Sequence, residues 1–588
     1  MSRKKLDLLL ATSLALGALG LAGCGDSDPV GPTGGGGSGA GGDAAGGAGG
    51  AVDDPGDLYD PSRVIEVSIE IADADAEELA NQTRDLLDLL AGDQCLSEPF
   101  PSPFTFFPAT VTVEGYTREQ VGVRKKGFLG SLSTTKPSLK VDFAEFVPDQ
   151  TIGPYERLTL NNSKQDPSFV RTCLTYWVFE KAGLPAPRCN FAHVVANGND
   201  LGIYVNIEPI NSDFVKAHFD DPSGDLYEGT LNDFRPGFDG GYEKETNKST
   251  PGHPRIDALT AALTGPDAGL LDAVGSVVDL DTFYTYWAVE VLTNHWDGYT
   301  NNTNNYYVYD DPTSGGFQFV VSGPDGAFQL QTSFQPGVDP PKSVFATGML
   351  ARRLYLLPES RDAYLARLRS LLDTVWDENA LLAEVDSLEA TLAPVADPSF
   401  EAALGEVRTF IQGRRAALLA EIDQGPPAWN FDARNSPCMP VLGSVDATFT
   451  TTFGSLGSDP FISGDGTISA TLGGAPIALV GTAGAVAGLD PNTTPPNGVV
   501  IVQVPSLRAD SKVEVVVLAI DKGLFGVGQT RFDLFGRVGY LGVFDPADMS
   551  FTVSAVIQGD LVLEQAAQTP NAPVIGSVHG QVLDPNVF

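Results

Sequence analysis

The run Asn294–Tyr309, NHWDGYTNNTNNYYVY, holds most of the residues able to do chemistry. His295 and Asp297 flank Trp296, Asn302 follows Asp297 by five positions, and Asn304 and Asn305 precede an apolar stretch. A further acid, Asp325, lies beyond it in Ser322-Gly323-Pro324-Asp325-Gly326-Ala327-Phe328. Phosphoryl transfer to a hydroxyl needs a carboxylate to orient the attacking oxygen. It also needs an amide oxygen and a second carboxylate to hold Mg²⁺ against the phosphates. An Asp, an Asn five later and an Asp past a short hairpin supply that set in the order such a loop uses. Spacing alone is shared with ordinary turns, which Asp-Gly and Asn-rich runs also make. His295 reads as a packed histidine rather than a catalyst.

These residues need rigid elements around them. Val64–Ile71 (VIEVSIEI) alternates apolar and polar side chains, the mark of a half-buried strand. Asp73–Leu90 reads as a helix, and Ala109–Val113, Gln120–Lys125 and Ser138–Phe143 as strands. Ser168–Ala182 has helical spacing, capped by Asp166 or Ser168. Phe191–Val195 and Gly202–Ile207 flank Asn197-Gly198, a strong hairpin signal. Asp281–Asn294 reads as an apolar-periodic helix leading into the Asp297 loop. Tyr306–Tyr309 and Phe317–Val321 read as a hairpin between Asn305 and Asp325. Residues 348–425 carry three or four amphipathic helices. From about 437 short strands and Gly/Pro turns run to the end, which predicts an independent all-β domain, sandwich or barrel. The uncharged run Gly466–Leu489 contains Pro476 and several Gly, and reads as strands and turns rather than a spanning helix.

The chain has 588 residues, 36 Lys+Arg against 75 Asp+Glu, and a net charge of −39. A chain this long exceeds one hydrophobic core. The acid excess argues against nucleic acid as a partner, because phosphate neutralisation needs clustered Lys and Arg. Residues 2–5 are Ser-Arg-Lys-Lys, followed by an uncharged run from Leu8 to Gly23 that suits a signal h-region better than a membrane span. It ends in Leu21-Ala22-Gly23-Cys24, which resembles a bacterial lipobox and implies cleavage before Cys24 and acylation of its thiol. Residues 25–57 are Gly-rich and read as a flexible tether. The expected divisions are therefore a signal peptide (1–23), a tether (24–57), a main domain (58–430) and a β-rich accessory domain (437–588). The expected location is the cell envelope, with the chain lipid-anchored on the periplasmic or outer surface. Cys95, Cys173, Cys189 and Cys438 allow three disulfide pairings, which the sequence leaves open.

A series of short motifs extends the Asp297 pattern. Arg124-Lys125-Lys126-Gly127 with Gly130-Ser131 precedes Lys136-Pro137-Ser138-Leu139-Lys140-Val141-Asp142-Phe143. Leu158-Thr159-Leu160-Asn161-Asn162, Asp166-Pro167-Ser168, Ala182-Gly183-Leu184-Pro185, Gly202-Ile203-Tyr204, Glu208 and Asp225-Leu226-Tyr227-Glu228 follow in order. Together with Asp297, Asn305-Tyr306-Tyr307-Val308-Tyr309 and Asp325-Gly326-Ala327-Phe328, this series resembles the CotH kinase-like family, named for spore coat protein H. The resemblance covers roughly residues 60–425. It implies an α+β, atypical protein-kinase-like two-lobe domain, with ATP as donor, Mg²⁺ or Mn²⁺, and Ser/Thr hydroxyls of an exported protein as acceptors. Carried over by motif, Asp297 resembles the catalytic aspartate and Lys140 the strand lysine that grips phosphates. Arg124, Lys126 and Gly127 resemble the phosphate-facing loop. Asn302 or Asn305, with Asp325, resembles the metal-binding set. Glu208 matches a family position that either pairs with Lys140 or lies at the adenine end.

One departure bears on activity. Many family members carry Trp-Asp-x-Asp where this chain has Ser322-Gly323-Pro324-Asp325. A second reading is therefore a weakened kinase or a nucleotide-binding envelope lipoprotein. A third is a structural lipoprotein with Ca²⁺ at the Asp220-Asp221-Pro222-Ser223-Gly224-Asp225 and Asp310-Asp311 loops, although these lack EF-hand spacing and read as turns.

Overall fold

The computed structural model describes residues 53–585, apart from 129, 331–339, 395–399, 492–497 and 535. The expected signal peptide, Cys24 and the tether up to residue 52 lie outside the described residues. The described chain divides into two compact units, one of residues 53–84 and 96–434, the other of residues 85–95 and 435–585.

In the first unit seven strands close into a barrel. They are β1 (Val64–Ile71), β2 (Phe107–Val113), β3 (Tyr116–Lys126), β4 (Ser138–Asp142), β5 (Arg157–Asn161), β6 (Cys189–Ala196) and β7 (Asn199–Ile207). The order is β1-β2-β3-β4-β5-β7-β6, closed by parallel pairing of β6 with β1. Alternation puts Ile65, Val67 and Ile69 of β1 inside, where they meet Val111, Val123, Val141, Leu158, Val194 and Tyr204. The β6–β7 hairpin turns on Asn197 and Gly198, both at positive φ (47° and 73°), as a two-residue hairpin turn requires. The Asn197 side chain also brackets Ile71, accepting from its N–H (2.9 Å) and donating to its carbonyl (2.8 Å).

The expected helix 73–90 is two pieces, Asp73–Asn81 and Leu86–Leu90. The buried Lys125 ammonium donates to the carbonyls of Ala80 and Gln82 (2.7 Å each), which satisfies the end of the first piece. The chain then leaves this unit for residues 85–95, an excursion with no signal in the sequence.

A second sheet in the same unit has the order β11-β10-β8-β9, from β8 (Leu226–Gly229), β9 (Glu243–Lys244), β10 (Tyr306–Asp311) and β11 (Gly316–Val321). β10 and β11 form the expected hairpin. The helix Leu280–Thr293 buries Phe283, Tyr286, Trp287 and Val291 in the helical core. Its Asp279 cap accepts from the N–H groups of Asp281 (3.1 Å) and Thr282 (3.2 Å). Trp287 stacks on Tyr364 of the helix Pro358–Thr374, ring centroids 3.9 Å apart. The helices Met349–Leu356, Glu378–Leu392 and Phe400–Ile422 complete the amphipathic set expected over 348–425. A disulfide joins Cys173 in the helix Arg171–Lys181 to Cys189 in β6.

The second unit is all-β, as its Gly/Pro-punctuated strands predict. Eleven strands connect into one antiparallel sheet, built around Val441–Thr452, Ser550–Ala566 and Pro573–Leu583. The excursion 85–95 is fastened there by the Cys95–Cys438 disulfide and by Arg531, which grips Asp85 (3.1 Å) and Asp88 (2.6 Å). Among the described residues no helix is long and apolar enough to cross a membrane.

Candidate functional site

A cleft runs between the barrel and the four-stranded sheet of the first unit. Barrel register decides one wall. Leu139 and Val141 point into the barrel core, so Lys140 between them points out, opposite Thr159 of β5. Lys140, Thr159, Arg157 and Lys126, the last residue of β3, line this wall. Tyr307 of β10 and the turn residues Ser322 and Gly323 after β11 line the other.

Behind Gly323 lies the Asp297 loop. The helix Leu280–Thr293 ends on Asn294 in the left-handed region (φ 55°), which turns the chain sharply toward His295. Asp297 is buried, and three amides converge on its carboxylate. Asn302 Nδ2 and Asn304 Nδ2 donate to Oδ1 at 2.5 and 3.2 Å, and Asn305 Nδ2 donates to Oδ2 at 2.8 Å. The Asn305 amide also reaches the Gly323 carbonyl at 3.2 Å. Both asparagines singled out in the sequence thus meet Asp297, and Asn305 links it to the cleft wall. Thr303 and Asn305 hold φ of 51° and 49°. For β-branched Thr303 this is a strained conformation that its surroundings must enforce.

Asp325 is buried on the turn Pro324–Gly326. Burial pushes its carboxyl up to about 7, and the charge of Asp166 pushes the same way, while Lys126 and Arg171 pull it down. Burial likewise holds Asp297 well above the usual carboxylate range, against the pull of Asn302 and Asn304; the charge of Asp325 adds to the rise and Arg434 opposes it. The two acids are therefore electrostatic neighbours, and Lys126, which lines the cleft, acts on Asp325. His295 is buried, and burial lowers its ring to about 4, so it is neutral at physiological pH.

Gly323 stands in the left-handed region (φ 52°), and a Cβ there would come within 2.8 Å of Asn305 Cγ. The absence of a side chain at 323 is what lets Asn305 sit against that carbonyl. An acid at this position is incompatible with Asn305 where it lies.

Three other residues singled out in the sequence stand differently. Arg124 is fully buried over the Phe106 ring (5.2 Å) and is not among the cleft-lining residues. Gly127, at φ 127°, follows β3 with Ser131 Oγ packed against it. Glu208 lines the cleft, but its carboxylate is held by Arg188 (2.7 Å) and His218 (3.1 Å). Lys140 acts instead on Glu228, a buried acid that burial and the charge of Glu245 raise to about 8.

Burial alone would raise Glu208, but hydrogen bonds from His218 and Arg188 outweigh it and lower the group to about 2. A depressed carboxyl stabilises the fold above its unfolded value and loses that contribution as pH falls toward the folded one. Glu208→Gln should therefore cost about 2–3 kcal/mol at pH 7. The gap between variant and parent should close as pH drops from about 4.5 toward 2. Urea denaturation across that range checks both the size and the sign.

Sequence reading gave no role in the site to four contributors. Asp166 accepts from Ser168 N (2.9 Å) and Arg171 N (2.9 Å), and its charge reaches Asp325. Arg171 pairs with Asp166 at 3.5 Å. Glu290, an acid within an apolar helix and hence a signal in itself, accepts from Tyr299 N and Thr300 N at 2.9 Å each. Arg434 donates to the Asn302 carbonyl at 2.9 Å and carries no motif at all.

Residues 123–415 match the family model described as CotH kinase protein. The chain is 25% identical over 186 residues to inner spore coat protein H of Bacillus subtilis, covering 30% of this chain and 51% of that protein. It is 26% identical over 179 residues to invasin CotH2 of Rhizopus delemar, covering 28% of this chain and 30% of that one. The chain thus spans about half the length of the first of these relatives and less of the second. Among solved structures, the Helicobacter pylori proinflammatory kinase CtkA aligns at 11% identity and a TM-score of 0.25, over 49% of this chain and 93% of CtkA. HipA in the Shewanella oneidensis HipA–HipB–operator DNA complex aligns at 11% identity and a TM-score of 0.27, over 53% and 66%. At those scores the description of the fold rests on the strands and helices of this chain.

Proposed function

We propose, from the premise that this chain carries a CotH-like kinase domain, that its cleft binds ATP with a divalent cation and passes the terminal phosphoryl group to a hydroxyl of an exported protein. One juxtaposition carries the reading. Lys126 and Lys140 line one wall of the cleft, and the opposite wall is the Gly323 turn that connects Asn305, Asp297 and Asp325.

The donor set suits Mg²⁺ or Mn²⁺. Two carboxylates are raised chiefly by burial, the charge of Asp325 adds to the rise at Asp297, and the Asn305 amide lies beside Asp297. Among the described residues no three His, Cys, Asp or Glu side chains gather as a metal site of their own. That agrees with a cation held by one or two carboxylates and completed by substrate phosphates. Asp325 and the Asn305 amide would hold it, and its chemistry would be to neutralise charge on the transferring group. Lys126 and Lys140 draw the phosphate chain across the cleft. Asp297 orients the acceptor hydroxyl and takes its proton as the new O–P bond forms. The bond from the terminal phosphorus to its bridging oxygen breaks, and ADP leaves.

The two disulfides, Cys95–Cys438 and Cys173–Cys189, support an exported location, since such bonds persist in oxidising compartments. The resemblance of Leu21-Ala22-Gly23-Cys24 to a lipobox adds lipid anchoring at the cell envelope to this reading.

Calorimetry with ATP and Mn²⁺, followed by labelling of exported proteins with γ-labelled ATP, tests the proposal. Lys126→Met and Lys140→Met should each weaken ATP binding by about tenfold or more, the worth of one charge-assisted hydrogen bond. Unchanged affinity in both variants would reject this cleft. The Gly323 turn, with three amides already on the Asp297 carboxylate, motivates the second reading. Metal-dependent ATP binding without any transfer would establish a pseudokinase instead.

A further inference from the structure

We propose that Arg434 is the positioning residue of the Asp297 loop, and that the site is incomplete without this residue from beyond the matched segment 123–415. Its guanidinium Nη1 donates to the Asn302 carbonyl (2.9 Å) and reaches Thr303 Oγ1 (3.4 Å). Asn302 is the residue whose amide makes the short bond to Asp297 Oδ1 (2.5 Å), and Thr303 is the strained, left-handed residue beside it. One guanidinium nitrogen therefore braces both the backbone carbonyl of the asparagine that aims Asp297 and the side chain of the strained residue beside it.

Arg434 is itself held from two sides. Its N–H donates to the Thr347 carbonyl (3.3 Å), and its carbonyl accepts from the Arg235 guanidinium. Arg235 pairs with the fully buried Asp233 (3.2 Å). Asp233 in turn accepts from Met349 N (3.0 Å), at the start of the helix Met349–Leu356, and from the Tyr299 hydroxyl (3.1 Å). Two buried acids and two arginines thus form one connected set, running from a helix terminus to the loop. Charge acts in the same direction as geometry: the field of Arg434 opposes in part the rise that burial imposes on Asp297.

The kinetic part of this inference rests on the transfer reaction proposed above; the structural part does not, so the test has two arms. In hydrogen–deuterium exchange without nucleotide, Arg434→Ala should speed exchange of the amides of residues 297–305 by about tenfold, the loss of one hydrogen bond to a charged donor. Arg434→Lys, which keeps the charge but shortens the reach, should fall between. In the labelling assay, Arg434→Ala should lower kcat by about 100-fold, as a misplaced catalytic group does, and leave KM for ATP within about twofold. Added guanidinium should restore part of that kcat. Unchanged exchange in the loop would overturn the proposal, as would kcat and KM moving together without rescue. If the parent protein transfers no phosphate, the exchange arm still decides the role of Arg434, and only the proposed reaction falls.

Discussion

Asp297→Asn should abolish phosphoryl transfer while leaving ATP–Mn²⁺ binding within a few-fold of the parent. Asn keeps the volume of Asp, and its oxygen can still accept from Asn302 and Asn304, so the loop retains two of its three converging bonds. The third, from Asn305, becomes a meeting of two amide donors unless Asn305 turns its oxygen inward and releases Gly323. The structural cost is therefore confined to one hydrogen bond, about 1 kcal/mol. The chemical cost is larger. A neutral amide cannot take a proton from the acceptor hydroxyl, and general-base contributions are worth roughly 10²–10⁴-fold. Loss of charge beside a divalent ion adds to this. Single-turnover labelling with and without the substitution, beside a calorimetric affinity, separates the two effects. Labelling that persisted at the parental rate in both Asp297→Asn and Asp325→Asn would show that this cluster is not where transfer occurs.

Gly298→Ala should destabilise the first unit by roughly 3–5 kcal/mol, the largest structural effect expected of any single methyl in the site. The new Cβ would stand 2.1 Å from Glu290 Oε1 and 2.8 Å from the His295 ring. Glu290 has nowhere to retreat: it is fully buried and accepts from Tyr299 N (2.9 Å), Thr300 N (2.9 Å) and the Thr300 hydroxyl (2.5 Å). These bonds pin the short turn Tyr299–Asn302 on which Asn302 sits. Displacing the carboxylate leaves buried backbone N–H groups without a partner. Glu290→Gln should cost less, about 1–3 kcal/mol, because one amide oxygen can serve only part of what two carboxylate oxygens serve. Urea midpoints with an unchanged m-value report this as stability rather than altered compactness. If Gly298→Ala unfolded at the parental midpoint, the close approach of residues 290 and 298 would be wrong.

Much of the architecture was legible because local pattern and tertiary demand agree. The VIEVSIEI alternation needs only a pleat and one buried face, and β1 occupies Val64–Ile71 as read. Asn197-Gly198 supplies two residues able to adopt positive φ, so the hairpin could be placed without a structure. The Asp297, Asn302, Asn305 and Asp325 group was legible for a related reason. One helix, one loop and one hairpin carry all four, and short connections leave little freedom in where they meet. The helix expected over 73–90 failed where long-range contact overrode local spacing: Lys125 takes the carbonyls of Ala80 and Gln82, and the chain departs for the second unit.

Composition and order alone thus determined the classes of element, the division into a mixed and an all-β part, and the loop that carries the acids. Only the folded chain decided which charges meet. It gave Glu208 to Arg188 and His218, buried Arg124 over Phe106, paired Cys95 with Cys438 and Cys173 with Cys189, and brought Arg434 to the Asn302 carbonyl. The reason is physical. Periodicity and turn chemistry act over a few residues and are written locally, whereas the partner of a buried charge is set by distance through space between segments whose separation along the chain carries no trace of it.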